Sequence, residues 1–201
     1  MITIILDCGH GKYTKGKRSP NGELLEYDYN RQIGRRVGEC LKELGIEFYY
    51  TYPLDDPRDL SLSARALFAN KISKEKGAAN VLLISLHSNA FGSTEWSSPE
   101  GWSIYTTKGY TKSDEYATTI WNEAEKVCKK YGRKIRKDIS DSDPDFEQDF
   151  TVIFKTICPS VLVEQFFYTN KEEMEWMLTE EGKSACTEII VNAIKRIEGI
   201  S

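Results

Sequence analysis

Apolar positions in this chain come in short blocks, and their period changes from block to block. ITIILD, residues 2–7, is a nearly unbroken apolar run and predicts a buried strand. Residues 27–44 place Ile33, Val37, Leu41 and Leu44 at helical spacing, with Gly45 as the C-terminal stop. IEFYYTY, 46–52, predicts a second strand, and Pro53 to Pro57 a turn. Residues 60–74 predict a helix on Leu62, Ala66, Ala69 and Ile72. NVLLISLH, 80–87, is too apolar for a strand with a wet face. WSIYTT, 102–107, predicts another strand. Residues 112–131 predict a long helix with Tyr116, Ile120, Ala124 and Val127 inward. Two short strands are expected at 150–156 and 160–166, separated by Pro159, and helices at 171–178 and 183–198 close the pattern.

Strands alternating with helices in this way predict a three-layer α/β/α sandwich around a mainly parallel, mixed sheet. No internal repeat or low-complexity linker interrupts it, so one domain over 1–201 is expected. The single shift in composition is DISDSDPDFEQD, 138–149. Its Asp141, Asp143 and Asp145 hint at a calcium loop. An EF-hand needs Gly next, where Phe146 stands, and Glu at the twelfth position, where Val152 stands. A solvated acidic loop is the reading.

Charge and cysteine content narrow the class. The chain of 201 residues carries a net charge of −4, its acids and bases interleaved. Without a basic stripe, nucleic acid is not an expected partner. No apolar run reaches the roughly 20 residues of a membrane span. MITIILDCGH reads as a strand, with neither the basic leader nor the cleavage site of a signal peptide. The five cysteines contain no CxxC, and their apolar or helical contexts predict reduced, packed thiols.

The chemistry concentrates in a few residues. The chain has two histidines, and both follow apolar strands directly: His10 in ILDCGHGK and His87 in LLISLHSNA. In open α/β sheets, ligands bind beyond the carboxyl ends of strands. Neutral imidazole is a common metal ligand, and a catalytic zinc takes three protein ligands, His₂Glu among the standard sets. Glu26 is the carboxylate the sequence offers. It lies seven residues before Ile33, so it continues the apolar helix face towards the sheet. It also fits a first-turn acid placed for the helix dipole. Glu164 interrupts the apolar run SVLVEQFF. It is either a general base with a raised pKa or one half of a buried ion pair. Cys8, on the same strand face as His10, is a rival ligand. Phe91, Trp96, Trp102 and Tyr105 follow His87 closely and are either substrate-facing aromatics or core.

Together these stretches resemble the zinc-dependent N-acetylmuramoyl-L-alanine amidases of the Amidase_3 family, nearly end to end. ILDCGHGK is similar to the family's opening strand and its Asp-Pro-Gly-His-Gly turn, and NGELLEYDYNRQIG to the segment whose Glu heads the first helix. LSLSARALFAN matches Leu-x-x-Arg-x-x-x-Ala-Asn, SLHSNAF matches Ser-x-His-x-Asn-Ala, and PSVLVEQFFYTN resembles the closing Pro-x-x-Leu-x-Glu motif. Two departures are Cys8 in place of Pro and Phe166 where many members have Gly. The resemblance implies a phosphorylase/hydrolase-like fold, zinc held by His10, Glu26 and His87, and Glu164 as the catalytic residue. It implies cleavage of the amide between the lactyl group of N-acetylmuramic acid and L-alanine in peptidoglycan. A zinc peptidase acting on the stem peptide is the alternative, and a binding protein with a degenerate site a more remote one. The expected setting is the cell wall, periplasm or exterior, as a prophage lysin or an exported autolysin. Peptidoglycan is the expected partner and a monomer the expected state.

Overall fold

The computed structural model describes residues 1–92, 94–140 and 142–200. In chain order the strands are β1 (Thr3–Cys8), β2 (Phe48–Tyr50), β3 (Val81–Asn89), β4 (Ser103–Thr106), β5 (Phe146–Glu147) and β6 (Ser160–Phe167). The α-helices are α1 (Glu26–Glu43), α2 (Leu62–Lys76), α3 (Lys112–Lys130), α4 (Thr151–Phe154), α5 (Lys171–Leu178) and α6 (Glu180–Glu198). The strands form one six-stranded sheet in the order β2-β1-β3-β6-β4-β5. Pairing is parallel throughout except between β4 and β6.

The unbroken apolar runs follow from burial on both faces of the sheet. Ile4, Leu6 and Cys8 of β1 join Leu82, Ile84, Leu86, Val161 and Val163 in the larger core, under α1, α3 and α6. The alternate residues Ile5, Leu83 and Leu162 pack on the other face, against Ala69 and Ile72 of α2 and Val152 and Ile153 of α4. Period-two alternation thus sends consecutive residues into two cores. Helix α1 ends where expected, with Gly45 at φ 69°, a conformation that costs glycine least.

Three expectations need correction, and one open choice is decided. Residues 150–156 are not a strand: Thr151–Phe154 form one helical turn, closed by Phe154 N–H to Phe150 O and Lys155 N–H to Thr151 O. The β-branched residues there suggested a strand, but the neighbours Val152 and Ile153 are both buried against one face, which a strand's alternation forbids. The acidic stretch is not simply solvated either. It contains β5, and Asp145 within it is 1% exposed; Asp141 lies outside the described residues. Leu62, expected inward, is exposed at the start of α2. Trp102 is wholly core and no substrate contact, whereas Trp96 and Phe91 are exposed.

Candidate metal centre

The parallel sheet aligns the ends of β1, β3 and β6 along one rim. His87 of β3 lies in register with Glu164 of β6, and Cys8 of β1 with Leu86 of β3. Past Cys8 the chain turns sharply. His10 adopts φ 66°, a left-handed conformation that an L-residue holds only when its surroundings impose it. Those surroundings are visible. The Tyr52 hydroxyl lies 2.8 Å from both Cys8 O and His10 O, and Arg65 Nη1 donates to Cys8 O at 2.7 Å. Gly9 is needed at the bend, because a Cβ there would sit 2.3 Å from the His87 ring.

Three predicted ligands meet at this rim. Glu26, the first residue of α1, places Oε1 3.4 Å from His10 Nε2 and 3.3 Å from His87 Nδ1. The two rings stand at 90° with centroids 5.0 Å apart. Donor atoms of His10, Glu26 and His87 all lie within 4.8 Å of one another. Glu26 Oε2 is buried without a hydrogen-bond partner, and buried His10 Nε2 has Glu26 Oε1 facing it at 3.4 Å. Buried polar atoms in folded proteins are ordinarily satisfied, and a cation at the centre of the three would satisfy these. The chemistry of the set, two imidazoles and one carboxylate, fits zinc with a position left for water.

Glu26 is placed by more than its position on the helix. Ser88 N–H donates to its Oε1 at 3.2 Å, and Lys17 Nζ lies 3.7 Å from its Oε2. Burial alone would push its pKa up. Hydrogen bonds and charge from His10 and His87 outweigh burial and hold the carboxyl well below the ordinary range. Glu164 is the opposite case. Burial first, then the Glu26 charge, push its pKa well up, only partly offset by Lys17 and Arg136. Its Oε2 is buried without a partner. Among the described residues Glu164 forms no ion pair, and Glu26, although it is an acid in the first turn of α1, is also lodged between two imidazoles.

A supporting network escaped the sequence reading. Asn30, one turn after Glu26, donates to Gly9 O at 3.4 Å and accepts from Ser88 Oγ and Gln165 Nε2. Gln165 also donates to His87 O at 3.2 Å. These amides tie β1, α1, β3 and β6 together around the histidines. Beneath them Arg65 of α2 forms a buried ion pair with Asp7 at 2.9 Å. Asp7 would be raised by burial, but Arg65 and hydrogen bonds from Thr51 and Ser85 lower it. The polar residues NRQ after Glu26 and the alternation at Asp7 were the available signals; both look like ordinary helix surface and strand end without a partner in view. Cys8 is settled as core: a Cβ on Gly34 would lie 2.5 Å from its Sγ, and burial raises the thiol to about 12. Such a thiol is a poor ligand.

Two cavities open on the two histidines. One, of about 400 Å³, includes Gly9, His10, Asp59, Leu62, Arg65 and His87. The other, of about 310 Å³, includes Lys17, Leu62, Phe150, Leu162 and Glu164 beside the two histidines. Exposed Leu62 borders both.

The fold and rim define a hydrolase-type α/β domain with a candidate metal centre at the strand ends. Comparison with known proteins specifies the class. The chain belongs to the Amidase_3 family, N-acetylmuramoyl-L-alanine amidase, whose profile matches residues 4–196. With it the chain is an enzyme, a cell-wall hydrolase acting on peptidoglycan. A relative from Bacillus subtilis (strain 168), "Uncharacterized protein YqiI", is 27% identical over 194 residues, covering 96% of this chain and 82% of the relative. The structure is similar to the N-acetylmuramoyl-L-alanine amidase of Clostridium difficile 630, with TM-score 0.82 and 24% identity over 98% of this chain and 97% of that one. It is also similar to the catalytic domain of the amidase CwlV from Bacillus (Paenibacillus) polymyxa var. colistinus, with TM-score 0.79, 21% identity and full coverage of both chains. Among the described residues no helix is long and apolar enough to cross a membrane.

Proposed function

We propose that the amidase activity is zinc-dependent, with His10, Glu26 and His87 as ligands and Glu164 as the catalytic acid–base. The observation that carries this is geometric: donor atoms of His10, Glu26 and His87 converge within 4.8 Å of one another, with Glu164 in register beside His87. Bound zinc supplies Lewis acidity, lowering the pKa of a water and polarising the scissile carbonyl.

The chain's residues do the rest. The muramyl and peptide arms of the substrate extend into the two cavities on either side of the histidines, with Leu62 between them. Glu164, in register beside His87, takes the proton of the attacking water, whose oxygen bonds to the lactyl carbonyl carbon. Its raised pKa makes the carboxyl willing to keep that proton. It then delivers the proton to the departing nitrogen of L-alanine as the C–N bond breaks. Asn30 and Gln165 hold the histidine backbone fixed through the cycle. The enzyme acts on peptidoglycan at the cell wall or outside the membrane, as a monomer.

The test digests purified peptidoglycan with and without chelator and reads the fragments by mass spectrometry. The expected products are a free lactyl carboxylate and a free L-alanine amine, lost on chelation and restored by zinc. Peptide-bond products in their place would establish the stem-peptide peptidase instead. Full activity in the chelated, zinc-free protein would overturn the metal assignment.

A further inference from the structure

Just past Glu164, strand β6 leaves its regular ladder. From His87 to Asn89, β3 advances two residues while β6 advances three, from Glu164 to Phe167. The extra residue makes a bulge, and Phe166 within it holds φ 65°. Tyr168 N–H regains β3 at Asn89 O, 2.9 Å away. Phe167 N–H donates instead to Glu173 Oε2 of α5, at 2.8 Å. On the other side of Glu164 runs β4, antiparallel, with Ser103 as the register partner of Glu164. Two residues before Ser103, Gly101 at φ 107° donates its N–H to the second oxygen, Glu173 Oε1, also at 2.8 Å.

One carboxyl group thus closes both flanks of Glu164. Each of its oxygens takes one main-chain donor, and a backbone N–H buried without an acceptor is costly. Asn170, the N-cap of α5, fixes Glu173 in turn by accepting from its N–H at 3.2 Å. The Asn170 amide also donates to Ser98 O and Pro99 O, each at 3.3 Å. The lead-in to β4 is therefore tied to the start of α5 at several points. Glu173 itself is 2% exposed. Burial pushes its pKa up to about 7, against the pull of the Phe167 and Gly101 N–H groups. A carboxyl is expensive in such a place. What its two hydrogen bonds secure is the pair of strands on which Glu164 stands.

Taking Glu164 as the acid–base, we propose that Glu173 is its positioning residue. By holding Phe167 and Gly101 to one side chain, Glu173 limits how far the β6 bulge and the start of β4 can move, and with them the Ser103–Glu164 pair. Proton transfer needs Glu164 within hydrogen-bond reach of the attacking water and the departing nitrogen. A displacement of about 1 Å from that geometry costs about 10²-fold in rate. Glu173 acts through Glu164 and not on the reacting atoms.

The experiment is a double-mutant cycle on zinc-loaded protein, with peptidoglycan hydrolysis normalised to bound zinc. It is run at about pH 8.5, above the pKa of Glu173, so that the wild-type carboxyl is ionised. Glu173→Gln keeps the shape of the side chain but turns one acceptor into an N–H donor. It is expected to lower kcat about 10- to 100-fold, with KM and zinc content unchanged. In the Glu164→Gln background the same change should cost less than about twofold, because residues that act as a unit are not additive. A merely structural loss would lower both backgrounds equally. Glu173→Asp is the second variant should Glu173→Gln fail to fold. It keeps the charge but is one methylene too short to reach both donors, and should lower kcat about 3- to 10-fold, again only with Glu164 present. An equal loss in both backgrounds, or wild-type kcat in folded Glu173→Gln, would overturn the proposal. Wild-type activity in Glu164→Gln alone would instead remove the acid–base role of Glu164, and this proposal with it.

Discussion

Two sides of the catalytic rim treat a buried acid in opposite ways. On the β1–α1–β3 side, Glu26 sits between two imidazoles and is held ionised. On the β6 side, Glu164 occupies the neighbouring register position and is held towards its neutral form. Burial pushes both the same way. The neighbours decide the outcome, and on the proposed function they divide a ligand from a proton carrier. The same contrast extends below the rim. Asp7 beside Arg65 is as buried as any residue here and is still lowered, because a guanidinium faces it.

The sharpest way to break this contrast is to remove a ligand. His87→Ala should lose zinc, measured by metal analysis, and all detectable amide cleavage with it. Glu164→Gln comes next: it should retain zinc at the wild-type level while the hydrolysis rate falls by about 10²–10⁴. If Glu164→Gln loses metal as His87→Ala does, the division between ligand and proton carrier fails. Third, Arg65→Met leaves Asp7 buried without its cation and should cost about 3–5 kcal/mol of unfolding free energy. It should also loosen the turn whose carbonyls, at Cys8 and His10, Arg65 and Tyr52 hold. Denaturant melts report the first effect and zinc affinity the second.

On the β6 side, Phe166 holds φ 65° and packs 5.1 Å from Trp176, centroid to centroid. Relief of that backbone strain is worth about 1–3 kcal/mol, and deletion of the ring costs about 3–5. Phe166→Gly should therefore be destabilised by a net of about 2 kcal/mol, by thermal or denaturant melts. The smallest effect is in pH. A carboxyl whose folded pKa is raised binds more protons in the native state, so it lowers stability as pH climbs above its unfolded value, about 4.3. Metal-free protein should lose stability from Glu164 above that pH, and Glu164→Gln should not. The difference between their stability–pH curves isolates this residue, because Glu26 has the opposite sign: its contribution is present above about 4.3 and is lost as pH falls.

Much of the layering could be read along the chain, because burial on both faces of a parallel sheet leaves unbroken apolar runs. The failure at 150–156 is instructive: β-branched content favoured a strand, and packing beneath α2 imposed a helical turn. Phe166 shows the reverse. As a departure from the family pattern it looked like a detail, yet it occupies a conformation that glycine would adopt without strain.

The sequence by itself determined which residues are candidates for the chemistry, for a chemical reason. Two histidines and two acids stand at positions where apolar runs end, and such residues are expensive there unless they have work to do. What it could not determine was who faces whom. That His87 neighbours Glu164 and that Asn30 and Gln165 brace both histidines are consequences of strand order and register. These pairings join residues far apart along the chain, and only the closed sheet brings them within reach.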